Sequence, residues 1–188
     1  MADSNNNVLK RKITIVGFGN SITEAKTQMP DENKRWLKIL DRKLSNIYPN
    51  YSFTVINSGI GGNSAREAMA RFDKDVLMYN PNYVLLELGG NNNDPGRPER
   101  RVLPNEFMDH LSHFKDSLPE KTKVIVITFP PVFYDLHTYW QNPLYKEYLY
   151  ETEEELGIEK YVNITRRFAK KMDTLFSICR KSYLSLEK

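Results

Sequence analysis

The most constraining feature of this chain is a repeated switch in hydrophobic period. Short apolar, β-branched runs, most of them closed by glycine, asparagine or proline, alternate with stretches whose apolar residues recur every three or four positions. The first kind suits a strand buried on both faces, the second a helix buried on one. Strands are predicted at 13–16, 53–56, 83–88, 124–129 and 175–179. Between them, helical stripes run through Trp36, Leu40 and Leu44, through Ala65, Ala68, Phe72 and Val76, through Phe107, Leu111 and Phe114, and through Ile158, Tyr161, Thr165 and Phe168. A polar helix is expected near 145–156, and Asp31 and Ser64 are candidate N-caps. Strands alternating with helices form βαβ units, so the expectation is an α/β fold with a parallel sheet of about five strands and helices on both faces. In such a sheet a ligand site lies beyond the carboxyl ends of the strands.

Length and composition narrow the class further. The 188 residues suit one domain of roughly 100–200 residues, with residues 1–12 as a flexible tail and 13–188 as the domain. Apolar runs fall far short of the roughly 20 residues a membrane span needs, so no span is expected. The N-terminus carries no apolar leader segment, and one cysteine, Cys179, allows no internal disulfide, so a cytoplasmic location is expected. A net charge of +3 with interleaved signs argues against a nucleic-acid partner, and Lys10-Arg11-Lys12 reads as a solvated flank. No cofactor is expected. His110 and His113 are spaced like a metal pair but lack a third ligand, so no metal site is expected either.

The loops after the first three predicted strands carry small and polar residues. They are Gly17-Phe18-Gly19-Asn20-Ser21-Ile22-Thr23, Asn57-Ser58-Gly59-Ile60-Gly61-Gly62-Asn63-Ser64 and Gly89-Gly90-Asn91-Asn92-Asn93-Asp94. Glycine turns let backbone N–H groups approach a ligand, and one hydroxyl among several donors suits acyl transfer, whose tetrahedral intermediate carries an oxyanion. Two plainer readings stand beside this. Ser21 with Glu24 three residues on matches a helix capping box. Gly17-x-Gly19 after a strand suggests a nucleotide fold, although Ile22 stands where that fingerprint has its third glycine and no P-loop exists.

Gly19-Asn20-Ser21-Ile22-Thr23, the segment ending Gly61-Gly62-Asn63, and Leu88-Gly89-Gly90-Asn91-Asn92 resemble the first three sequence blocks of the SGNH, or GDSL-type, hydrolases. The resemblance covers about residues 13–135. It implies a flavodoxin-like, three-layer α/β/α fold and an esterase or lipase acting on a small acyl ester through an acyl-serine. It makes Ser21 the nucleophile and one oxyanion donor, Gly62 a second N–H donor and Asn91 a side-chain donor. Asn20, Asn63 and Asn92 become substrate-binding candidates, with Asn20 and Asn92 standing where the family has aspartate.

The family's fourth block, Asp-x-x-His before a C-terminal helix, has no match in this sequence. The expectation is therefore a chain without that dyad and last helix, which leaves one sheet face under-covered. Three explanations of the missing block stand open: a C-terminally truncated member of an active family, a natural pseudoenzyme, or His137, in the loop after the fourth strand, as a substitute base. Tyr134 and Trp140 in the same aromatic stretch are candidate pocket walls or contacts of a homo-oligomer. Without a base, a triad enzyme loses about 10⁶-fold in kcat. The alternative function is a non-catalytic acyl- or carbohydrate-binding pseudoenzyme of the same fold.

Overall fold

The computed structural model describes residues 10–130, 142–144, 157–172 and 174–177. The chain runs β1 (Arg11–Gly19), α1 (Ser21–Glu24), α2 (Trp36–Ile47), β2 (Tyr51–Gly59), α3 (Ala65–Met69), α4 (Phe72–Asp75), β3 (Tyr83–Glu87), α5 (Pro104–Asp116), β4 (Lys123–Ile127), α6 (Ile158–Lys171) and β5 (Leu175–Ser177). The five strands form one sheet in the order β2-β1-β3-β4-β5, and every pairing is parallel. The expected α/β class, strand number and flavodoxin-like order are all present. The tail boundary moves: Arg11 and Lys12 open β1 and pair with Tyr51 and Ser52.

Alternate residues of each strand face opposite layers, as the two-residue period of a strand requires. Val16, Phe18, Val84, Leu86, Val124 and Val126 point into the larger core, where they meet Ala65, Ala68, Phe72, Leu111, Phe114 and Phe168. The rings of Phe18, Phe72 and Phe114 pack with centroids 4.8–5.6 Å apart. Tyr161 closes this layer from α6, donating its hydroxyl to the Val102 carbonyl at 2.6 Å.

On the other face Ile15 and Leu85 are buried against Leu37 of α2, while Ile13, Phe53, Val55, Tyr83, Ile125 and Ile127 are only half-buried. Among the described residues α2 is the one long helix there, and beside it lies an apolar groove of about 440 Å³.

The predicted stripe from Ala65 to Val76 is two short helices. Ser64 caps the first with a complete capping box to Glu67, and a break at Ala70-Arg71 sets Phe72 into the core. Asp31 caps a separate 3₁₀ turn, Glu32–Lys34, and α2 starts after it at Trp36. The expected helix at 145–156 lies outside the described residues, as do residues 178–188. No helix among the described residues is long and apolar enough to cross a membrane.

Phe114 is 1% exposed and touches both other rings of its cluster. Phe114→Ala is expected to cost about 3–5 kcal/mol, because the cavity it leaves is walled by rigid rings on the sheet and α4. A urea titration followed by circular dichroism checks this.

Candidate active site

The three glycine-rich loops converge at the carboxyl edge of the sheet. Ser21 is the first residue of α1 and is half-buried. It is not the cap. Asn20 takes that role, its Oδ1 accepting from the Ile22 N–H at 2.9 Å, and Glu24 bonds away from its own helix, to the Gly61 N–H at 2.9 Å. The capping-box reading of Ser21 and Glu24 is therefore replaced by an Asn20 cap. The Ser21 hydroxyl makes no hydrogen bond among the described residues, so it is free to act on a ligand.

Beneath this turn lies Glu87, the last residue of β3, which is 1% exposed. Its two carboxyl oxygens accept from Asn20 Nδ2 and Thr23 Oγ1, both at 3.2 Å. The residues on either side of the Ser21-Ile22 step are thus tied to one buried group. Gly19 makes the approach feasible: a β-carbon there would sit 2.2 Å from Thr23 Oγ1 and 2.3 Å from the Glu87 carbonyl oxygen.

Arg71 ties the second loop to the first. Its Nη2 donates to the Gly19 carbonyl at 2.9 Å, and its Nη1 to the Ser58 carbonyl and Asp75 Oδ2, each at 2.8 Å. Its Nε donates to Asn63 Oδ1 at 2.8 Å, and the guanidinium carbon lies 4.6 Å above the Phe18 ring. One cation therefore spans the ends of β1 and β2.

Gly62 has φ +76°, a left-handed backbone that favours glycine. Gly61 lies close to the serine, since a β-carbon there would be 3.9 Å from Ser21 Cβ. Asn91 Nδ2 donates to the Asn63 carbonyl at 3.1 Å, bringing the third loop to the second.

Two expected substrate contacts are corrected. Asn20 and Asn92 are both fully buried. Asn20 is occupied as the cap and as a donor to Glu87. Asn92 faces inward, its Oδ1 accepting from the Ala65 N–H at the start of α3 at 2.9 Å. Both shape the loops from behind. Asn63 is half-buried, and its Oδ1 accepts from Arg71. Tyr134, His137 and Trp140 lie outside the described residues. His110 and His113 sit on α5, facing Glu106 and Ser117, each at 3.3 Å, and neither touches the Ser21 turn.

Glu87 and Arg71 escaped the sequence reading. Glu87 interrupts the apolar run Tyr83–Leu88, and a charged residue at the end of an otherwise apolar strand was the available signal for it.

Comparison with known proteins supports the fold and gives the family. The sequence profile of the GDSL-like lipase/acylhydrolase family matches residues 18–177. An acetylxylan esterase from Geobacillus stearothermophilus is 26% identical over 133 residues, which cover 71% of this chain and 57% of that protein. An arylesterase from Vibrio mimicus is 31% identical over 128 residues, 64% of this chain and 61% of that protein. The matches thus span little more than half of these relatives' length. Among solved structures, a lipase/acylhydrolase from Enterococcus faecalis superimposes with a TM-score of 0.63 at 18% identity, covering 87% of this chain and 74% of that one. The acetylxylan esterase superimposes with a TM-score of 0.63 at 20% identity, covering 89% and 76%. Two further structures of that esterase are catalytic mutants, one at a serine and one at a histidine.

Burial pushes the Glu87 carboxyl up from 4.5 to about 7, against the opposing pull of the Thr23 and Asn20 donors. A carboxyl with a higher pKa folded than unfolded binds more protons in the folded state. Its contribution to stability is full below the unfolded value and is lost as pH rises through the folded one. Wild type is therefore expected to lose stability relative to Glu87→Gln as pH rises from about 5 to about 7, where the two carboxyl values bracket the window. Urea midpoints of both proteins across that range check it, and parallel curves refute it.

Proposed function

The chain belongs to the GDSL-like lipase/acylhydrolase family, and from that premise we propose that it is a serine ester hydrolase acting on a short, acetyl-like acyl ester. The observation that carries the reading is the free Ser21 hydroxyl, held at a helix start whose capping duty Asn20 has taken over. A serine kept only for capping would be bonded to its own helix.

In this reading Ser21 Oγ attacks the ester carbonyl carbon and loses its proton to a base. The carbonyl oxygen becomes an oxyanion, which accepts from the Ser21 and Gly62 N–H groups and from Asn91 Nδ2, and Asn91 exchanges its resting bond to the Asn63 carbonyl for this one. Collapse of the intermediate expels the alcohol, which takes up the proton. Water then attacks the acyl-serine, releasing the carboxylic acid and restoring the hydroxyl. Glu87, Asn20 and Thr23 keep the turn fixed throughout, so little reorganisation is needed at the reacting atoms.

Serine is a weak nucleophile without a base. His137, which follows β4 in sequence and lies outside the described residues, is the candidate base proposed for that role. The acetylxylan and aryl esters named for the relatives are the first substrates to offer.

Three variants test the assignment with p-nitrophenyl acetate and a fluorophosphonate probe. Ser21→Ala is expected to abolish covalent labelling and to lower hydrolysis by at least about 10³-fold. Asn91→Ala is expected to lower kcat by about 10²–10³-fold with labelling slowed rather than lost. His137→Ala is expected to fall nearly as far as Ser21→Ala. Hydrolysis that survives Ser21→Ala removes the serine from the reaction, and hydrolysis that survives His137→Ala removes that base.

A further inference from the structure

The loop after β3 brings an arginine to the mouth of the site, and the reaction described above gives that arginine no role. Arg97 Nη1 lies 3.1 Å from the point a β-carbon on Gly62 would occupy, so its guanidinium sits directly against the glycine assigned as an oxyanion donor. The Asp94–Arg97 turn holds the residue there, with the Arg97 N–H bonded to the Asp94 carbonyl at 2.9 Å and the Gly96 N–H to Asp94 Oδ1 at 2.9 Å.

The pairing of nearby arginines is informative. Arg66 is bonded by Glu106 through both Nε and Nη2, Arg71 is paired with Asp75, and Arg100 is paired with Glu67 while also donating to the Gly62 carbonyl at 2.8 Å. Arg97 differs. Its one ionic neighbour is Asp94 Oδ2, 3.7 Å from Nε, at the side edge of the guanidinium. The end edge, with Nη1 and Nη2, makes no hydrogen bond among the described residues, and the side chain is 51% exposed. That end edge presents two parallel N–H groups at the spacing of a carboxylate and can accept nothing, so it selects for an anion over a neutral hydroxyl. Two further carboxylates near this loop are engaged, Glu24 by the Gly61 N–H and Glu67 by Arg100.

We propose that Arg97 is a specificity residue that binds an anionic group on the substrate, so that the site prefers esters carrying a carboxylate a few carbons from the ester bond. The proposal rests on the reading of the Ser21 turn as an ester site. The carboxylate belongs to the acyl part or to the alcohol part of the ester, and two ligands separate these sources. Monomethyl glutarate carries it on the acyl side and O-acetylglycolate on the alcohol side.

Binding is read without turnover in Ser21→Ala, whose hydroxyl makes no bond that the fold needs. Each anion is titrated beside its neutral methyl ester while the Gly62 amide resonance is followed by NMR. At least one anion is expected to bind about tenfold or more tightly than its neutral ester, with the preference weakening as salt is added. In Ser21→Ala/Arg97→Ala the ratio is expected to fall to about one, and Arg97→Lys, a point charge without the fork, is expected to restore only part of it. Equal binding of anion and neutral ester, or a preference that survives Arg97→Ala, overturns the proposal. Fluorophosphonate labelling of the Ser21-bearing chain is scored separately. An Arg97-dependent anion preference in a chain that does not label keeps the anion site and sinks the hydrolase reading. Labelling without the preference does the reverse.

Discussion

The site depends on one buried carboxyl group. Glu87 ends a strand from the middle of the sheet, and nothing in the core around it could hold a charge alone. Burying a carboxylate without partners costs far more than a domain of this size can spare. Asn20 and Thr23 reduce that cost by donating to its two oxygens, and in doing so they join the end of β3 to the turn that follows β1. The link works in both directions. The turn makes the carboxyl tolerable, and the carboxyl prevents the turn from relaxing into an ordinary helix start.

Arg71 performs a similar task at the neighbouring strand pair, and its position explains why α3 and α4 are separate. A continuous helix through Ala70-Arg71 would carry the guanidinium on past the ends of β1 and β2. The break instead points it back at the Gly19 and Ser58 carbonyls, over the Phe18 ring. The carbonyls at a parallel sheet's carboxyl edge have no further strand to bond, and a part-buried cation with several donors satisfies them. Glu87 and Arg71 together fix the three loops, one from below and one from the side.

Much of this was legible in the sequence. The change of period from two to 3.6 set the strands and helices, and glycine with asparagine marked the loops, because these signals are local and each arises from the chain's own geometry. Ser64 was readable as a helix cap for the same reason. Long-range tertiary links were not. Nothing within a few residues of Glu87 reveals that Asn20 and Thr23 will meet it from 67 and 64 positions away. The stripe Ala65–Val76 read as one helix because its apolar period survives the break, while the cause of the break lies in carbonyls from two other strands. Ser21 and Glu24 matched a capping box by spacing, yet Asn20 took the cap from Ser21 and a backbone amide 37 positions on claimed Glu24. Local pattern gives a residue's options, and tertiary contacts choose among them.

The same distinction accounts for the two asparagines that replace the family's aspartates. At position 20 an aspartate could cap Ile22 as well as asparagine does, because both present a side-chain oxygen. It would also set a second carboxylate against Glu87 in a buried space, where two such groups can remain only if a proton is shared between them. Asparagine removes that conflict by accepting from the helix through Oδ1 while donating to Glu87 through Nδ2. Asn92 is only half matched. Its Oδ1 caps Ala65, but its buried Nδ2 has no partner among the described residues. An aspartate there would keep the cap and lose the orphaned donor, at the cost of a buried charge beside a helix N-terminus that favours one. The replacement at position 20 is therefore compelled by its neighbour, whereas the one at position 92 is a choice the packing tolerates.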